Sequence, residues 1–495
     1  MRSGDYRYKI ENGEAVLLEY VPEDPDAPGG VIRIPETLGG FPVRRIATGA
    51  FEKNGMMIER IELPRQVRVI EDLAFRNCVS LTELKLNEGL EVIGANCLYI
   101  TAADNIFIPS SVHTIRAPYD LGEFSWEAAE DNPWYESDGF GLYKKDSITG
   151  EKVLAAVQKN RQLEEYEVLP GTVKIGNNSF EGQMHIKKVV IPEGVTQIGS
   201  EAFVSCQELR EISLPSTLKR IEDGAFRCCV RLESIRLPGA LEYIGDRAIT
   251  DTYGWSDRLN GIRYIEAEEG EGRFFSDENA LFEKTDNGID LIKYFGTSQE
   301  YRIPEFVRRI GDASFRRANA HRLILPETLL ETGESAFKEC AHLESIYFEN
   351  DNTEIYIPRT PVYRKDEISG LFYTENGRLR YDYHSYDRLL KDWSQLTVRC
   401  RMAAFRLEYP KELSEDDGRQ YKDLILDNLE EILKDIAKRE DIEDLKALTR
   451  SGVLDREISE IAAETLGRLG IPKLTGFIME YKQETFGIWE DDFSL

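Results

Sequence analysis

The chain has 495 residues, in which 62 Lys and Arg face 90 Asp and Glu, a formal charge of −28. Such a charge makes nucleic acid and anionic membrane poor partners. Apolar residues make up 41% of the chain, with 23 Tyr and 22 Phe, which is ample for a folded core.

The N-terminal segment Tyr6–Tyr20 carries two apolar runs around Asn12-Gly13 and reads as a β-hairpin. Residues 1–30 are therefore expected to form a cap. The longest apolar run there, Ala15 to Leu18, is too short for a secretory signal. No later stretch approaches the roughly 20 apolar residues of a membrane helix. The chain is expected to be cytoplasmic and not inserted in a membrane, with export as the alternative.

From residue 31 to 377 one phrase recurs: apolar-x-apolar-Pro, then Val/Leu-x-x-Ile, then Gly/Glu-x-x-Ala-Phe-x-x-Cys. It is complete at Leu63-Pro64, Val67, Ile70, Ala74-Phe75 and Cys78. It returns at Ile191-Pro192 to Cys206 and at Leu214-Pro215 to Cys229. Its punctuating position falls at 64, 87, 109, then 170, 192, 215, 238, then 304 and 326, with steps of 22 or 23 inside each block. A fixed period of that size marks a solenoid, whose coils bury their apolar side on one another. Each unit opens with Leu-x-x-Ile-x-Leu, as at Leu209, Ile212 and Leu214, and the alternation predicts a short strand. Pro ends the strand because it has no N–H for a ladder. The Val-x-x-Ile-Gly phrase is expected to turn the chain. Ala-Phe then closes the coil, with Phe75, Phe203, Phe226 and Phe337 filling the interior. Cys78, Cys206, Cys229 and Cys340 sit three residues after the repeat Phe, a phase that suits small buried thiols.

These residues resemble the BspA-like, treponemal-type leucine-rich repeat. The resemblance implies an α/β repeat fold, a leucine-rich repeat solenoid with a parallel sheet on its concave side. It also implies protein or matrix binding rather than catalysis. Members of that family are often displayed on the cell surface, so an exported adhesin is the first alternative function.

Hairpin inserts are expected near 116–165, 263–300 and 355–377. Trp134-Tyr135-x-Ser137-Asp138 with Leu142-Tyr143 matches Phe274-Phe275-Ser276-Asp277 with Leu281-Phe282. A third copy is read at Val362-Tyr363, Leu371–Tyr373 and Asn376-Gly377. Aromatic residues of these inserts, Trp126, Trp134 and Tyr135, leave a carbohydrate binder or an enzyme as the second alternative.

Residues 378–495 change period. Leu426, Leu429, Leu433 and Ile436 predict one amphipathic helix, with Ser414 and Asp417 as its capping pair. Ile458, Ile461, Ala462 and Leu469, then Leu474, Phe477 and Ile478, predict two helices joined around Gly470-Ile471-Pro472. Such pairs are similar to ankyrin repeats, and a small all-α helical-repeat domain is expected.

No constellation of catalytic type is evident. The five histidines (His113, His185, His321, His342, His384) are scattered, and no nucleophile elbow, phosphate loop or zinc motif is present. No enzyme activity, cofactor or metal is therefore expected, although Glu349-Asn350-Asp351-Asn352 has the composition of a calcium loop. The candidate site is a surface for a protein partner. Residues two and four before the Pro slot should point outward: Arg33, Arg60, Lys85, Lys188, Arg236, Arg302 and Arg322, against Glu62, Glu83, Glu211 and Glu300. Phe107, Val190, Ile324 and Tyr347 share those slots. This ribbon is less acidic than its surroundings and exposes apolar side chains, as a binding face would. Simple cross-strand pairing, such as Glu62 beside Lys85, is the competing explanation.

Overall fold

The computed structural model describes residues 1–23, 30–116, 125–159, 162–249, 262–268, 270–358, 367 and 370–487. Its contacts gather into two compact units, Met1–Phe275 and Ser276–Leu495.

In the first unit each coil contributes the expected strand before its Pro slot. Ile58–Glu62 pairs parallel with Glu83–Lys85, and Lys188–Val190 lies between Glu165–Glu167 and Glu211–Ser213. The Val-x-x-Ile phrase, expected only to turn the chain, forms a second parallel sheet. Its strands are two residues long: Val69–Ile70, Val92–Ile93 and Thr114–Ile115 stack in register, as do Gln197–Ile198, Arg220–Ile221 and Tyr243–Ile244. A pair of residues is too short to show a period, so the sequence pattern reads as a bend.

The Ala-Phe turn supplies a third bonded side. The Phe180 N–H donates to the Ala202 carbonyl at 2.7 Å, Phe203 to Ala225 at 2.8 Å and Phe226 to Ala248 at 2.9 Å. Inside, the rings stack, with centroids 4.5 Å apart for Phe180–Phe203 and 5.1 Å for Phe203–Phe226. Phe51 and Phe75 form a similar pair at 5.2 Å, beyond which Leu98 stands in the Phe slot. Each repeat Cys reaches back one coil: Cys206 Sγ donates to the Phe180 carbonyl and Cys229 Sγ to the Phe203 carbonyl, both at 3.0 Å. The repeat Gly answers the same closeness. A Cβ on Gly199 would lie 2.7 Å from the Asn177 nitrogen, inside the coil below.

Three hairpins join the stack in one way. Tyr6–Glu11 and Glu14–Tyr20 form the first, with Leu17 opposite Ile46 of the next coil. Gly141–Lys145 and Lys152–Val157 form the second, with Leu154 opposite Ile175. In the second unit, Ala280–Thr285 and Gly288–Tyr294 set Leu291 opposite Ile310. In each case the hairpin's second strand takes the place of a Val-x-x-Ile strand, with a register shift one residue before the docked pair. Tyr20 and Tyr294 also lead the ring columns, stacking on Phe51 and Phe315 at 5.4 and 5.2 Å.

The inserts contain more coil than expected. Ser125–Ala128 pairs parallel with Asn105–Ile108, and Tyr264–Ala267 with Ser234–Leu237. Both segments lack the Pro that flags a strand end elsewhere. The hairpin at Asn376-Gly377, formed by Phe372–Glu375 and Arg378–Tyr381, pairs with no following coil. Phe372 instead packs on Phe337, with centroids 5.7 Å apart, and Thr374 Oγ1 donates to the Leu330 carbonyl at 2.9 Å. Val362-Tyr363 lies outside the described residues.

Seven helices follow among the described residues: Tyr383–Lys391, Leu396–Glu408, Glu415–Asp427, Leu429–Arg439, Ile442–Arg450, Arg456–Arg468 and Pro472–Phe486. Ser414 caps the third as expected, its hydroxyl accepting from the Asp417 N–H at 3.0 Å. The single helix predicted through Leu426 and Ile436 is instead two, broken at Asn428, whose side-chain amide donates to the Leu424 carbonyl. Ile461 is exposed, and the buried face of its helix is Ser459, Ala462, Ala463, Thr465 and Leu466.

The helices close the last coil of the second unit. Tyr386 donates its hydroxyl to the Tyr356 carbonyl at 2.8 Å, and the Tyr356 and Phe405 rings lie 5.2 Å apart. Beneath them the buried Arg406 guanidinium meets both oxygens of Asp387 at 2.8 and 3.0 Å. Residue 377 lies in the turn of the preceding hairpin, so a division there separates its two strands.

Phe203→Ala is expected to destabilise the protein by about 3–5 kcal/mol, because it opens a cavity between two stacked rings. Thermal denaturation followed by circular dichroism measures this, and an unchanged melting temperature would contradict the ring column. Truncation after Gly377 removes the strand Arg378–Tyr381 and all seven helices, leaving the last coil uncovered. That shortened chain is expected to elute as an aggregate on size exclusion, whereas a monodisperse, strand-rich species would show that the helices are dispensable.

Candidate functional site in the outward rows of the first sheet

The pleat of the strands that precede the Pro slots decides which side chains face out. Ile61, Leu84 and Val189 point inward and are buried, so their neighbours point outward. Arg33, Lys85, Phe107, Arg236 and Arg302 are exposed, while Arg60, Lys188, Val190, Arg322, Ile324 and Tyr347 are half-buried. Arg33, Arg60, Lys85, Phe107, Lys188, Val190 and Arg236 belong to the first unit, and Arg302, Arg322, Ile324 and Tyr347 to the second.

Register places opposite charges side by side on successive coils. Arg33 meets Glu62 at 2.9 Å, and Arg60 meets Glu62 at 2.9 Å and Glu83 at 3.1 Å. Lys188 meets Glu211 at 2.8 Å, and Arg236 meets Glu268 at 2.9 Å. In the second unit Arg322 binds Glu300 and Glu354, both at 2.8 Å, and Arg302 binds Glu305 and Glu349, both at 2.9 Å. Lys85 lies opposite Glu62 in the ladder. The Arg33 guanidinium holds the Glu62 carboxyl below its usual range, and the Glu211 carboxylate raises the Lys188 ammonium. Such exposed pairs are screened by solvent and serve the register of the strands more than their stability.

The positive excess read from the sequence came from an incomplete row. Glu127, Glu165, Glu167 and Glu266 occupy the same outward positions: Glu127 and Glu266 on strands in the segments assigned to inserts, Glu165 and Glu167 one residue out of step with the Pro170 slot, where Tyr166 and Val168 face inward. In the first unit five basic residues (Arg33, Arg60, Lys85, Lys188, Arg236) thus face seven acidic ones (Glu62, Glu83, Glu127, Glu165, Glu167, Glu211, Glu266). What remains distinctive is apolar. Phe107 is 48% exposed, and the row also carries Val31, four residues before Pro35, at 55%, and Tyr264 at 45%, which no Pro slot identifies.

Other candidate chemistry is enclosed or neutralised. Trp126 and Tyr135 are buried, and the Tyr135 hydroxyl accepts from the Ile115 N–H at 2.8 Å, so neither offers a face to a sugar. Trp134 is half-buried and lies edge-on to His113. In the loop Glu349–Asn352, Glu349 is paired with Arg302 and Asp351 with Arg380 and Lys411, which leaves no uncompensated charge for calcium. The repeat brings His321 and His342 together on adjoining coils, rings 5.6 Å apart, a proximity that linear spacing conceals. Among the described residues no group of three His, Cys, Asp or Glu is placed to hold a metal ion.

All seven cysteines are thiols, and all but Cys228 are buried. Burial pushes the Cys78 and Cys400 thiols up to about 12. Buried sulfurs are out of the reagent's reach, so iodoacetamide at pH 8 is expected to spare Cys78, Cys97, Cys206, Cys229, Cys340 and Cys400 in the native protein. All seven should be labelled in non-reducing denaturant, and mass spectrometry would expose any that stay protected as disulfide-bonded.

A family model for the "BspA type Leucine rich repeat region" matches six copies, over residues 40–118, 156–257 and 293–357. No curated protein matches significantly. Similar solved structures include a leucine rich cell surface protein from Faecalibacterium prausnitzii, 17% identical, with 70% of this chain and 94% of that one covered and a TM-score of 0.29. The pneumococcal vaccine antigen PcpA is 16% identical over 70% of this chain and 87% of its own, with a TM-score of 0.36. A leucine-rich repeat protein from Bacteroides ovatus is 19% identical over 71% of each chain, with a TM-score of 0.28. The period, the two parallel ladders and the six matched copies agree: this chain belongs to the BspA-type leucine-rich repeat proteins and carries a helical C-terminal region.

Proposed function

We propose that this chain is a non-enzymatic protein-binding or scaffold protein that presents the outward rows of its coils to a partner. The observation that carries the reading is the half-exposure of Phe107, Tyr264 and Val31 within rows whose basic residues are paired. Apolar side chains held by a rigid sheet give contact area at little entropic cost, while the flanking charges select the partner. The helices Arg456–Arg468 and Pro472–Phe486 pack on one another. We read such pairs as ankyrin-like stacking units that extend the scaffold. The seven thiols support a cytoplasmic, reducing setting.

The test is capture from native lysate on the immobilised full chain, followed by affinity measurement with the captured protein. Phe107→Ala combined with Tyr264→Ala is expected to weaken binding at least tenfold, about 1.4 kcal/mol. Arg236→Glu combined with Arg302→Glu should weaken it as well, and the effect should shrink as salt rises. If both double variants bind like the parent, the rows are not the interface. If no protein binds saturably, the protein-binding reading falls.

A further inference from the structure

A second exposed apolar surface lies at another edge of the first coils, where the Ala-Phe turn runs on toward the next strand. Met56 and Met57 occupy this edge in one coil, Val79 in the next, and Tyr99 and Ile100 in the one after. Their exposures run from 43% for Tyr99 to 65% for Met57. The coils are bonded across the edge, since the Asn77 N–H donates to the Tyr99 carbonyl at 2.9 Å.

Ile100 adds an independent observation. Its backbone is left-handed, with φ at +60°, a conformation that β-branched residues strongly avoid. The equivalent residue in other coils is Asn77, Gly182, Ser205, Cys228, Arg317 or Glu339, none of them β-branched. A strained isoleucine that stays half in water serves neither folding nor solubility, which points to a role outside the chain.

The charges around the edge indicate what approaches it. Arg76 is paired with Glu52 at 3.4 Å and Lys53 with Glu19 at 3.2 Å. Glu59 and Asp104 stand in one column beside the apolar residues, are exposed, and have no ion-pair partner among the described residues. The uncompensated charge is therefore negative, on a chain of net −28. Successive coils repeat at about 4.8 Å, close to the roughly 5.4 Å pitch of an α-helix. A helix lying along the stack would set one apolar side chain per turn against each coil, the i, i+3/i+4, i+7 mode of helix recognition.

Resting on the protein-binding reading, we propose that the edge formed by Met56, Met57, Val79, Tyr99 and Ile100, rimmed by Glu59 and Asp104, docks a basic amphipathic helix of another protein. The probe is a fluorescein-labelled 18-residue peptide with Leu at i, i+3/i+4 and i+7 and Lys on its flanks, titrated against the full chain by anisotropy. Its control is a peptide of equal composition with the Leu positions scattered. The amphipathic peptide should bind at least tenfold more tightly than the scattered one. Met57→Ser with Ile100→Asn should raise the Kd at least tenfold, and Glu59→Gln with Asp104→Asn should raise the Kd and flatten its salt dependence. Ile100→Asn alone should keep or raise the melting temperature, because Asn accepts the left-handed conformation. Equal binding of the two peptides, parent-like affinity of the variants, or a lower melting temperature for Ile100→Asn would each overturn the proposal. If the peptide ignores this edge while the Phe107 and Tyr264 variants still lose a captured partner, only the edge is dismissed and the protein-binding reading stands.

Discussion

Main-chain bonding between neighbouring coils, on three sides at once, governs almost every residue choice in the repeats. Two sides are parallel ladders and the third is the run of bonds from a Phe N–H to the carbonyl in the next coil's Ala slot, which Cys97 fills opposite Phe75. At Gly199, where the second ladder turns, the coil below leaves no room for a Cβ. An interior hydroxyl or amide needs its own partner, as Ser314 finds in the Leu291 carbonyl and Gln183 in the Val157 carbonyl, and most interior slots hold Phe, Ala and a thiol whose weak donor finds a carbonyl one coil away. Since the backbone carries the stacking, outward side chains are left to vary, and a surface for recognition can change without disturbing the coil.

The outward rows illustrate both uses of that freedom. Charges in register, such as Glu165, Lys188 and Glu211, alternate in sign from one coil to the next, which disfavours a slipped ladder. Apolar residues in the same rows do nothing for register. Phe107 and Tyr264 are out of place as structural elements, and this is why they, rather than the arginines, carry the functional reading.

What the sequence reveals follows from the length of each signal. Phe, Cys and Gly recur in phase over many coils, so their burial and stacking are legible from one chain. A ladder built on two residues per coil leaves no period to detect, and Ser125–Ala128 and Tyr264–Ala267 hide because no Pro marks their ends. That concealment removed Glu127 and Glu266 from the outward row, and a one-residue offset before Pro170 removed Glu165 and Glu167, so the row looked basic. In the helical region an unbroken apolar spacing runs across Asn428, where local capping divides the helix. Ile461 fits the spacing of a buried face but faces water, because small residues, Ala462 and Ala463, are what the neighbouring helix admits. The nearness of His321 and His342 is a property of the stack and is invisible along the line of the chain.

The three hairpins share one docking register, Leu17 on Ile46, Leu154 on Ile175 and Leu291 on Ile310, down to the residue at which the ladder slips. They act as a common coupling between a preceding segment and whatever coil comes next. A block that begins with such a coupling is interchangeable in register: duplication or loss of the whole block would leave every remaining junction in phase, while gain of a few residues inside a coil would not. By this geometry a chain of this design tolerates a change of length by a whole block more readily than by part of a coil.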